Sequence, residues 1–258
     1  MLNLTPLPAF NDNYIWLLQN PESKGCAVVD PGDARPVLQW LQDNADWQLS
    51  DILVTHHHSD HTGGIEQIKQ ATGARVIAPA SEDISHSDLS AVDGQSVRVL
   101  GHELQVMHVP GHTLGHVAYY HAGEPGFVLS GDTLFAAGCG RMFEGTPEQM
   151  AASLLRLAQL PPATLVYCAH EYTRSNLEFA AAVEPDNQHI RQRLQQVIRL
   201  REHNGISLPS NMGLELQTNP FLRLHLPQVR QQLQQHGLQP EQDHAAAFAV
   251  MRKWKDNF

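Results

Sequence analysis

Short apolar runs, each ended by polar residues or by Gly and Pro, recur along residues 14–168 of the chain. Runs of this length with such boundaries are typical of buried β-strands. The predicted strands are Tyr14–Leu18, Cys26–Asp30, Ile52–Thr55, Arg75–Ala78, Val97–Leu100, Leu104–Val109, His116–Tyr120, Phe127–Ser130 and Leu165–Tyr167. Apolar residues at helical spacing predict helices between them at Ala34–Gln42, Ile65–Ala71 and Pro147–Leu160. Strands that alternate with helices predict an α/β domain over residues 1–170.

The third of these helices carries the most complete start signal in the chain. Thr146 stands at the N-cap, Pro147 at the first helical position, and Gln149 completes a capping box. Apolar residues then recur every three to four positions, and Pro161-Pro162 ends the pattern. We therefore expect a helix with one apolar stripe.

Strand signals almost disappear after residue 170, and helical patterns replace them. The predicted helices there are Thr173–Val183, Asn187–His203, Pro227–Gln235 and His244–Asn257, with a loop over Gly205–Pro220. The sequence therefore predicts a smaller, all-helical second domain over residues 171–258.

Composition and charge limit the classes of partner. At 258 residues the chain can bury a large core, and a formal net charge of −10 argues against nucleic acid as a partner. Residues 1–169 hold 7 Lys and Arg against 18 Asp and Glu, whereas residues 170–258 hold 10 against 9. The second segment is therefore the better surface for an anionic ligand. No stretch approaches the ~18 apolar residues of a membrane span, so we expect a cytoplasmic protein without a membrane partner.

Histidine, rather than cysteine, is the residue in excess. Cys26, Cys139 and Cys168 are odd in number and widely spaced, which predicts neither a disulfide framework nor a Cys-x-x-Cys metal pair. The 16 histidines instead supply imidazole, the usual protein ligand of zinc, iron and copper.

The spacing of residues after the third predicted strand is the strongest chemical signal in the chain. His56, His58, Asp60 and His61 fall within six residues and supply donors for two metal ions. Alternation in an extended turn would point His56, His58 and Asp60 to one side. Two plainer interpretations stay open at this point: Asp60 as a helix N-cap, and the histidines as part of a solvated loop.

Three later stretches fit the same site. His112 lies in a Pro-Gly turn, Asp132 in a Gly turn, and His170 just beyond another apolar run. Each follows a predicted strand, and an α/β sheet builds its site at such strand ends. Five histidines and two carboxylates are about the number of ligands that two ions sharing a carboxylate need. The sequence has no Gly-x-Ser-x-Gly, Gly-Lys phosphate loop or His-Glu-x-x-His motif, so the ligand set predicts metal-assisted hydrolysis.

Further segments carry a resemblance to a known family. They are Pro8–Tyr14, Asp30–Gly32, Gly131–Phe135, Gly138–Arg141, Phe143–Thr146 and His170–Thr173. With the metal motif, they make the chain resemble the metallo-β-lactamase-fold hydrolases and, within them, the glyoxalase II (hydroxyacylglutathione hydrolase) family, nearly end to end. The metal motif specifies only the superfamily, and the segments after Asp132 specify glyoxalase II. The resemblance implies a four-layer αββα sandwich followed by the helical domain.

The resemblance also implies how the ligands are divided. One metal ion would be held by His56, His58 and His112. The second would be held by Asp60, His61 and His170, with Asp132 bridging the two. Asp60 and Asp132 are then the expected catalytic carboxylates, beside a hydroxide shared by two divalent ions. Zinc is the expected metal, and iron or manganese would also suit these donors.

Three further residues lie close to the ligands in sequence but outside the matched positions. They are His57, His116 and Cys139. We expect them to support the ligands or to pack, with His116, at the start of a strand, as a core residue.

The substrate implied by the resemblance is an S-(2-hydroxyacyl)glutathione, typically S-D-lactoylglutathione, hydrolysed to glutathione and D-lactate in methylglyoxal detoxification. The expected substrate-binding residues are Arg141, Phe143, Tyr172, Arg252 and Lys255. Phe143 stands where some family members have Tyr, and it offers no hydroxyl. Arg252 and Lys255, spaced i and i+3, would bind carboxylates. The plainer alternative is that their stems cover apolar surface while their charged ends stay in water.

Three other functions remain open from the sequence. The first is another hydrolase of the same superfamily, such as a lactonase or a β-lactamase. The second is a persulfide dioxygenase with a single iron, which the complete second-metal set disfavours. The third is a non-enzymatic metal-binding module. In each case we expect a monomer.

Overall fold

The computed structural model describes residues 2–258. The strands are β1 (Asn3–Ala9), β2 (Asn13–Asn20), β3 (Gly25–Val29), β4 (Gln48–Leu53), β5 (Arg75–Pro79), β6 (Leu89–Ala91), β7 (Ser96–Val99), β8 (His102–His108), β9 (Val117–His121), β10 (Phe127–Gly131), β11 (Leu134–Phe135), β12 (Gly138–Cys139), β13 (Leu165–Cys168) and β14 (Ser210–Asn211). The helices are α1 (Ala34–Asp43), α2 (Ser59–Thr62), α3 (Ile65–Thr72), α4 (Pro147–Leu157), α5 (Thr173–Val183), α6 (Gln188–Glu202), α7 (Met212–Thr218), α8 (Pro227–Gln235) and α9 (His244–Asp256), with a 3₁₀ turn at Pro220–Leu222.

Most strands form two six-stranded sheets that pack face to face. The first has the order β1-β2-β3-β4-β5-β6 and the second the order β14-β13-β10-β9-β8-β7. Trp16, Tyr119 and Leu129 belong to the apolar cluster between them. The other face of the first sheet packs on α1 and α3, and that of the second sheet packs on α4 and α9. This arrangement confirms the predicted four-layer αββα sandwich.

Hydrogen bonds between the two sheets hold neighbouring strand ends together. The hydroxyl of Tyr119 donates to Val54 O at 2.8 Å, and Trp16 Nε1 donates to Cys168 O at 2.9 Å. Backbone N–H of Val117 donates to Thr55 O at 3.0 Å. Because buried carbonyls need partners, these bonds fix the end of β4 against β9 and the end of β13 against β2. Those ends carry residues of the site described below.

Helix α4 forms as its start signal predicts. Thr146 accepts from Gln149 N, and the Gln149 side chain accepts from Thr146 N, which completes the capping box. Met150 and Leu154 are buried against the second sheet. The helix ends at Leu157, three residues earlier than the apolar spacing predicts.

Strand β1 lies before the first strand predicted from the sequence. It contains Pro6 and Pro8, and proline within an apolar run argues against a strand. The structure shows why both prolines are tolerated. β1 is an edge strand that pairs only with β2, so it needs fewer backbone donors than a central strand.

The predicted loop over Gly205–Pro220 is wrong, because this stretch contains β14 and α7. Asn211 caps α7 by accepting from Leu214 N. The helical pattern of α7 was missed because its buried stripe contains a charged residue, the fully buried Glu215, where an apolar residue would be expected. Glu215 is stabilised by an ion pair with the buried Arg193 at 2.7 Å and by a hydrogen bond from Ala137 N at 2.7 Å.

The helices after residue 170 pack directly on the second sheet. Phe179, Phe248 and Met251 share one apolar cluster with Val128 and Val166 of the sheet. The division into domains at residue 170 stays a prediction. Within residues 2–258, no helix combines the length and the apolar character needed to cross a lipid bilayer.

Candidate metal centre and adjoining cavity

The predicted ligands all follow strand ends at one edge of the sandwich. His56 follows β4, His112 follows β8, Asp132 follows β10 and His170 follows β13. Neighbouring strands β10 and β13 are parallel, so the residues after them leave the sheet on the same side. The order and direction of the strands therefore place donors that are more than 100 residues apart at a common point.

Three imidazole nitrogens converge on one position. His58 Nδ1 lies 3.1 Å from His56 Nε2 and 3.0 Å from His112 Nε2. His56 and His112 are buried, whereas His58 is partly exposed. The ligand atoms of these three residues lie within 4.8 Å of one another, close enough to share one metal ion.

Hydrogen bonds determine which ring nitrogens carry lone pairs. His112 Nδ1 faces Arg141 O at 2.7 Å, and since a carbonyl only accepts, Nδ1 must donate. Thr55 Oγ1 gives its proton to Asp30 Oδ2 at 2.7 Å, so it can only accept from His56 Nδ1 at 3.0 Å. In their neutral forms, His56 and His112 therefore keep lone pairs on Nε2, the atom that faces the cluster.

A second group of donors lies beside the first. His61 Nε2 is 3.3 Å from Asp60 Oδ2, and His170 Nε2 is 3.6 Å from the same oxygen. Asp132 lies between the two groups, with Oδ2 3.5 Å from His112 Nε2 and 3.3 Å from His170 Nε2. The structure thus brings all seven predicted ligands together, and one carboxylate faces both sets.

Unpartnered buried atoms indicate that this cluster suits metal ions. His61 Nδ1 and Nε2 and Asp132 Oδ1 are buried and have no hydrogen-bond partner among residues 2–258. His61 Nδ1 lies 3.1 Å from Asp30 Oδ2, but the angle does not make a hydrogen bond. Leaving such atoms unpaired is costly, whereas a cation would satisfy Asp132 Oδ1 and the His61 nitrogen that carries the lone pair. The donor set and this burial therefore fit a dinuclear His/Asp metal site.

The electrostatic setting keeps most of the imidazoles in their ligand form. Burial lowers the pKa of His56 far below its usual value, and neighbouring imidazoles lower it further. Burial likewise lowers the pKa of His112, against the opposing charge of Asp132. His61 and His170 differ: burial opposes the charge of each, but Asp132, with Asp30 and Asp60 around His61 and Asp12 beside His170, raises the pKa of both above the usual value. Despite its burial, the pKa of Asp132 is lowered by His61 and His170, so it stays a carboxylate.

His116, for which core packing was favoured over support of the ligands, is buried and holds the backbone of a ligand. Its Nε2 accepts from Asp132 N at 3.0 Å, and its Nδ1 lies 3.2 Å from Thr133 Oγ1. The preceding residue, Gly131, has a φ of +50°, in the left-handed region that favours glycine. A Cβ atom there would lie 2.5 Å from Thr55 Oγ1 and 2.7 Å from His116 Nε2. The turn that presents Asp132 therefore requires both His116 and a glycine.

His57, between two ligands in sequence, turns away from the cluster and joins two loops. Its Nδ1 lies 2.7 Å from Glu82 Oε2 and its Nε2 lies 3.1 Å from Glu144 Oε1. Glu82 also accepts from the hydroxyl of Thr113. The buried Glu82 carboxylate thus connects the loop of His56 and His58 to the loop of ligand His112.

Three further acidic or amide side chains hold ligands in place. None of them was predicted from the sequence to belong to the site. Asp12 Oδ1 lies 2.7 Å from His170 Nδ1, and Asn13 Nδ2 donates to Asp60 Oδ2 at 3.0 Å. Asp30 accepts from Thr55 N at 2.7 Å as well as from its hydroxyl. Asp12, Asn13 and Asp30 lie in segments that carry the family resemblance, which is the signal that could have identified them.

A cavity of about 470 Å³ opens beside the metal-ligand cluster. His112 and Asp132 form one end of it. The predicted substrate residues Arg141, Phe143, Tyr172, Arg252 and Lys255 line the remainder, together with Cys139. The structure therefore places all five beside the ligands, in a space with a cationic wall.

The side chains that line this cavity differ in exposure. The Phe143 ring is 65% exposed and packs edge-on against His58 and His112, each at 5.3 Å between centroids. The Tyr172 ring stacks on His170 at 4.8 Å. Burial, followed by the charge of Asp12, raises the pKa of Tyr172, so its hydroxyl keeps its proton. Phe143 and Tyr172 thus cover the metal-ligand cluster from two sides.

The C-terminal cations are less free than helical spacing predicts. Arg252 is buried, and its Nη1 donates to Cys139 O at 3.1 Å. Its Nε and Nη2 face Asp256 Oδ1 at 3.1 and 2.9 Å. Lys255 Nζ donates to Ser175 O at 3.1 Å, and burial lowers its pKa to about 8. Arg252 therefore does not keep its head in water, contrary to the plainer of the two alternatives.

Comparisons with known proteins agree with this geometry. The family model for the metallo-beta-lactamase superfamily matches residues 10–170, and the model for the hydroxyacylglutathione hydrolase C-terminus matches residues 171–258. The hydroxyacylglutathione hydrolase of Pseudomonas paraeruginosa is 58% identical over 258 residues, 100% of both chains. That of Pseudomonas putida (strain GB-1) is 60% identical over 259 residues, also 100% of both.

Solved structures share the fold at lower identity. TTHA1623 in a di-iron-bound form aligns with a TM-score of 0.59 and 26% identity, over 85% of this chain and 100% of that one. ETHE1 from Myxococcus xanthus aligns with a TM-score of 0.66 and 22% identity over 99% of each chain. At that identity the second likeness shows the fold alone.

The four-layer fold and its seven-donor His/Asp cluster define a protein of the metallo-β-lactamase superfamily. The C-terminal match and the full-length identity to curated relatives narrow this class. The chain belongs to the hydroxyacylglutathione hydrolase family.

Proposed function

We propose that the protein hydrolyses the thioester of an S-(2-hydroxyacyl)glutathione, with S-D-lactoylglutathione as the typical substrate and methylglyoxal detoxification as the setting. The curated relatives of full length bear the name of this activity. The observation that carries the proposal is the cavity that joins the metal-ligand cluster to Arg141, Arg252 and Lys255. A reacting carbonyl at one end and an anionic tripeptide along the cationic wall match that shape.

The reaction adds the oxygen of water to the acyl carbon and breaks the carbon–sulfur bond. The sulfur leaves with the bonding electron pair and takes a proton, so the products are free glutathione and a 2-hydroxy acid such as D-lactate. Because a thiolate is a good leaving group, the reaction needs no strong acid from the protein to protonate it.

We assign the metal ligands as the family resemblance implies. His56, His58 and His112 would hold one divalent ion. Asp60, His61 and His170 would hold the other, and Asp132 would serve both. Such a pair of ions, when bound, supplies Lewis acidity and water activation near neutral pH. Zinc is the first candidate for the metal. Iron is the second candidate, because TTHA1623 has a di-iron-bound form, and manganese is the third.

The two carboxylates of this set are the proposed catalytic residues. Neighbouring side chains hold each of them in position. Asp132 is buried with its backbone held by His116, so its position varies little. The Asp60 side chain is 41% exposed and is oriented by Asn13. Of the two, Asp60 is the more open to an arriving substrate, whereas Asp132 is the fixed point between the two donor groups.

Other residues would orient the substrate beside these carboxylates. The Phe143 ring offers an apolar wall over His58 and His112 and no hydroxyl, so it contributes shape alone. Tyr172 keeps its proton and can donate to the cysteinyl part of the tripeptide. Arg141, Arg252 and Lys255 supply the positive charge that glutathione carboxylates require.

The decisive experiment measures thiol release from S-D-lactoylglutathione by the purified, metal-loaded protein, beside ring opening of a lactone and of a β-lactam. We expect rapid thiol release and little activity on the other two. Lactone or β-lactam turnover without thiol release would replace the proposal with another hydrolase of the superfamily. Uptake of metal with no turnover at all would leave a non-enzymatic metal-binding module.

Metal analysis of the same sample distinguishes the remaining alternative. We expect about two divalent ions per chain, the number that the seven donors accommodate. One iron per chain with oxygen consumption on a persulfide would instead identify a dioxygenase. Light scattering of the same sample should give the mass of a monomer.

A further inference from the structure

A carboxylate of the protein itself lies against Arg252 and close to Arg141, two residues that line the cavity proposed for the substrate. Asp256 Oδ1 lies 3.1 Å from Arg252 Nε and 2.9 Å from Arg252 Nη2. These two nitrogens form one edge of the guanidinium, the edge at which arginine pairs side-on with a carboxylate. Asp256 therefore occupies the edge of Arg252 that a substrate carboxylate would use.

The other nitrogen of Arg252 is directed into the protein. Nη1 donates to Cys139 O at 3.1 Å and lies 3.8 Å from Cys139 Sγ. The guanidinium also lies over the Phe221 ring, 5.1 Å from its centroid, and the side chain is only 6% exposed. Arg252 therefore cannot turn freely to offer a second edge to a ligand.

The same oxygen of Asp256 also faces the second arginine of the cavity. Arg141 Nε lies 3.8 Å from Asp256 Oδ1, and the Arg141 side chain is 70% exposed. Asp256 is 40% exposed, so both the acid and Arg141 are reachable from solvent. One carboxylate thus contacts Arg252 of helix α9 and approaches Arg141 of the loop after β12.

We propose that Asp256 is an internal competitor, which holds the arginine edge in the free protein and must yield it when a substrate carboxylate binds. This inference rests on the proposed function, because it assumes a ligand with carboxylates. A carboxylate that arrives while Asp256 stays in place would meet like charge at close range. On binding, the substrate carboxylate would replace the Asp256 carboxylate at Arg252. Asp256 would therefore affect the affinity for the substrate and take no part in the chemical step.

Asp256→Asn tests the charge of this residue separately from its hydrogen bonds. The amide oxygen can still accept from Arg252, so the arginine keeps its orientation while the competing charge is lost. We expect KM for S-D-lactoylglutathione to fall about two- to fivefold, the range of a solvent-exposed ion pair, with kcat unchanged. The dissociation constant of S-methylglutathione, measured by calorimetry, should fall by the same factor.

Asp186→Asn is the matched control. Asp186 is an exposed acid that pairs with Arg191 at 3.3 Å, and neither residue lines the cavity. The substitution changes the net charge by the same single unit, so it reports any general effect of charge on an anionic ligand. We expect KM and the dissociation constant to stay at the wild-type values.

The outcomes separate this inference from the function on which it rests. An unchanged or raised KM in Asp256→Asn, with binding of S-methylglutathione unchanged or weaker, would overturn competition and make Asp256 a support for Arg252. If wild-type protein binds S-methylglutathione but hydrolyses no thioester, the proposed function fails while the calorimetric comparison still decides the role of Asp256. Equal gains in Asp256→Asn and Asp186→Asn would also overturn the inference, since net charge would explain both.

Discussion

Asp12 and His170 are 158 residues apart in sequence, yet Asp12 Oδ1 accepts the hydrogen bond from His170 Nδ1 at 2.7 Å. In the neutral imidazole this bond keeps the proton on Nδ1 and leaves the lone pair on Nε2, the atom that faces Asp60 and Asp132. The neighbouring Asn13 orients Asp60, another proposed ligand of the same ion. Asp12, in the loop after β1, and Asn13, the first residue of β2, thus hold two ligands that come from distant parts of the chain.

Removal of this acceptor should weaken metal binding at the second position. In Asp12→Ala, His170 can turn or change tautomer, and losses of this kind cost about 10–100-fold in metal affinity or activity. Metal retained against a graded chelator, together with kcat, measures the effect. Asp46→Ala is the control, because Asp46 pairs with Lys24 on the surface, away from the ligands. Wild-type metal retention and kcat in Asp12→Ala would contradict the role assigned to this bond.

The two acids that contact His57 should differ sharply in their contribution to stability. Glu82→Ala leaves His57 Nδ1 and the buried hydroxyl of Thr113 without an acceptor, which should cost about 2–4 kcal/mol in the free energy of unfolding. Glu144 is more exposed, so Glu144→Ala should cost less than about 1 kcal/mol. Urea unfolding of both variants gives the comparison. Equal losses would mean that burial of the Glu82 carboxylate is not what stabilises these loops.

Gly131→Ala should damage the metal centre as well as stability. The left-handed φ of +50° and the contacts of a Cβ atom with Thr55 and His116 should together cost about 3 kcal/mol. Gly73→Ala is a matched control, since Gly73 has a φ of +72° and nothing within 4 Å of its Cβ position. It should cost about 1–2 kcal/mol and leave metal content unchanged. Metal analysis and urea unfolding check both, and full metal content in Gly131→Ala would refute the steric argument.

Substrate affinity should fall as Lys255 loses its proton. Burial and, after it, the charge of Arg252 lower the pKa of Lys255 to about 8, against the opposing effect of Glu178, Cys139 and Asp256. The ammonium is charged below pH 8 and neutral above it, so KM should rise about fivefold between pH 7 and pH 9.5. Arginine stays charged throughout this range. Lys255→Arg should therefore show a flat KM, and the same rise in that variant would assign the titration to another group.

Local patterns in the sequence were sufficient for much of this molecule. The capping box at Thr146 forms because N-cap hydrogen bonds involve residues only three positions apart. An α/β domain was predictable because buried strands and amphipathic helices have different apolar periods, whereas the four-layer αββα order was implied by the family resemblance. Local patterns did not predict α7, because its buried Glu215 is stabilised by Arg193, 22 positions earlier in the chain. Nor did they predict β1, where an edge position makes two prolines acceptable.

The sequence by itself determined the donor types and their positions at strand ends, because metal-ligand spacing and strand patterns are local properties of the chain. Only the tertiary structure decided which lone pairs face the cluster, since Asp12 and Arg141 set the ring nitrogens of His170 and His112 across long stretches of chain. Thr55 does so for His56 because its hydroxyl donates to Asp30, 25 positions earlier. The tertiary structure also decided that Arg252 is buried against Cys139 and paired with Asp256. Helical spacing could bring Arg252 and Asp256 together, but the fold alone places Arg252 at the wall of the cavity and Asp256 beside it.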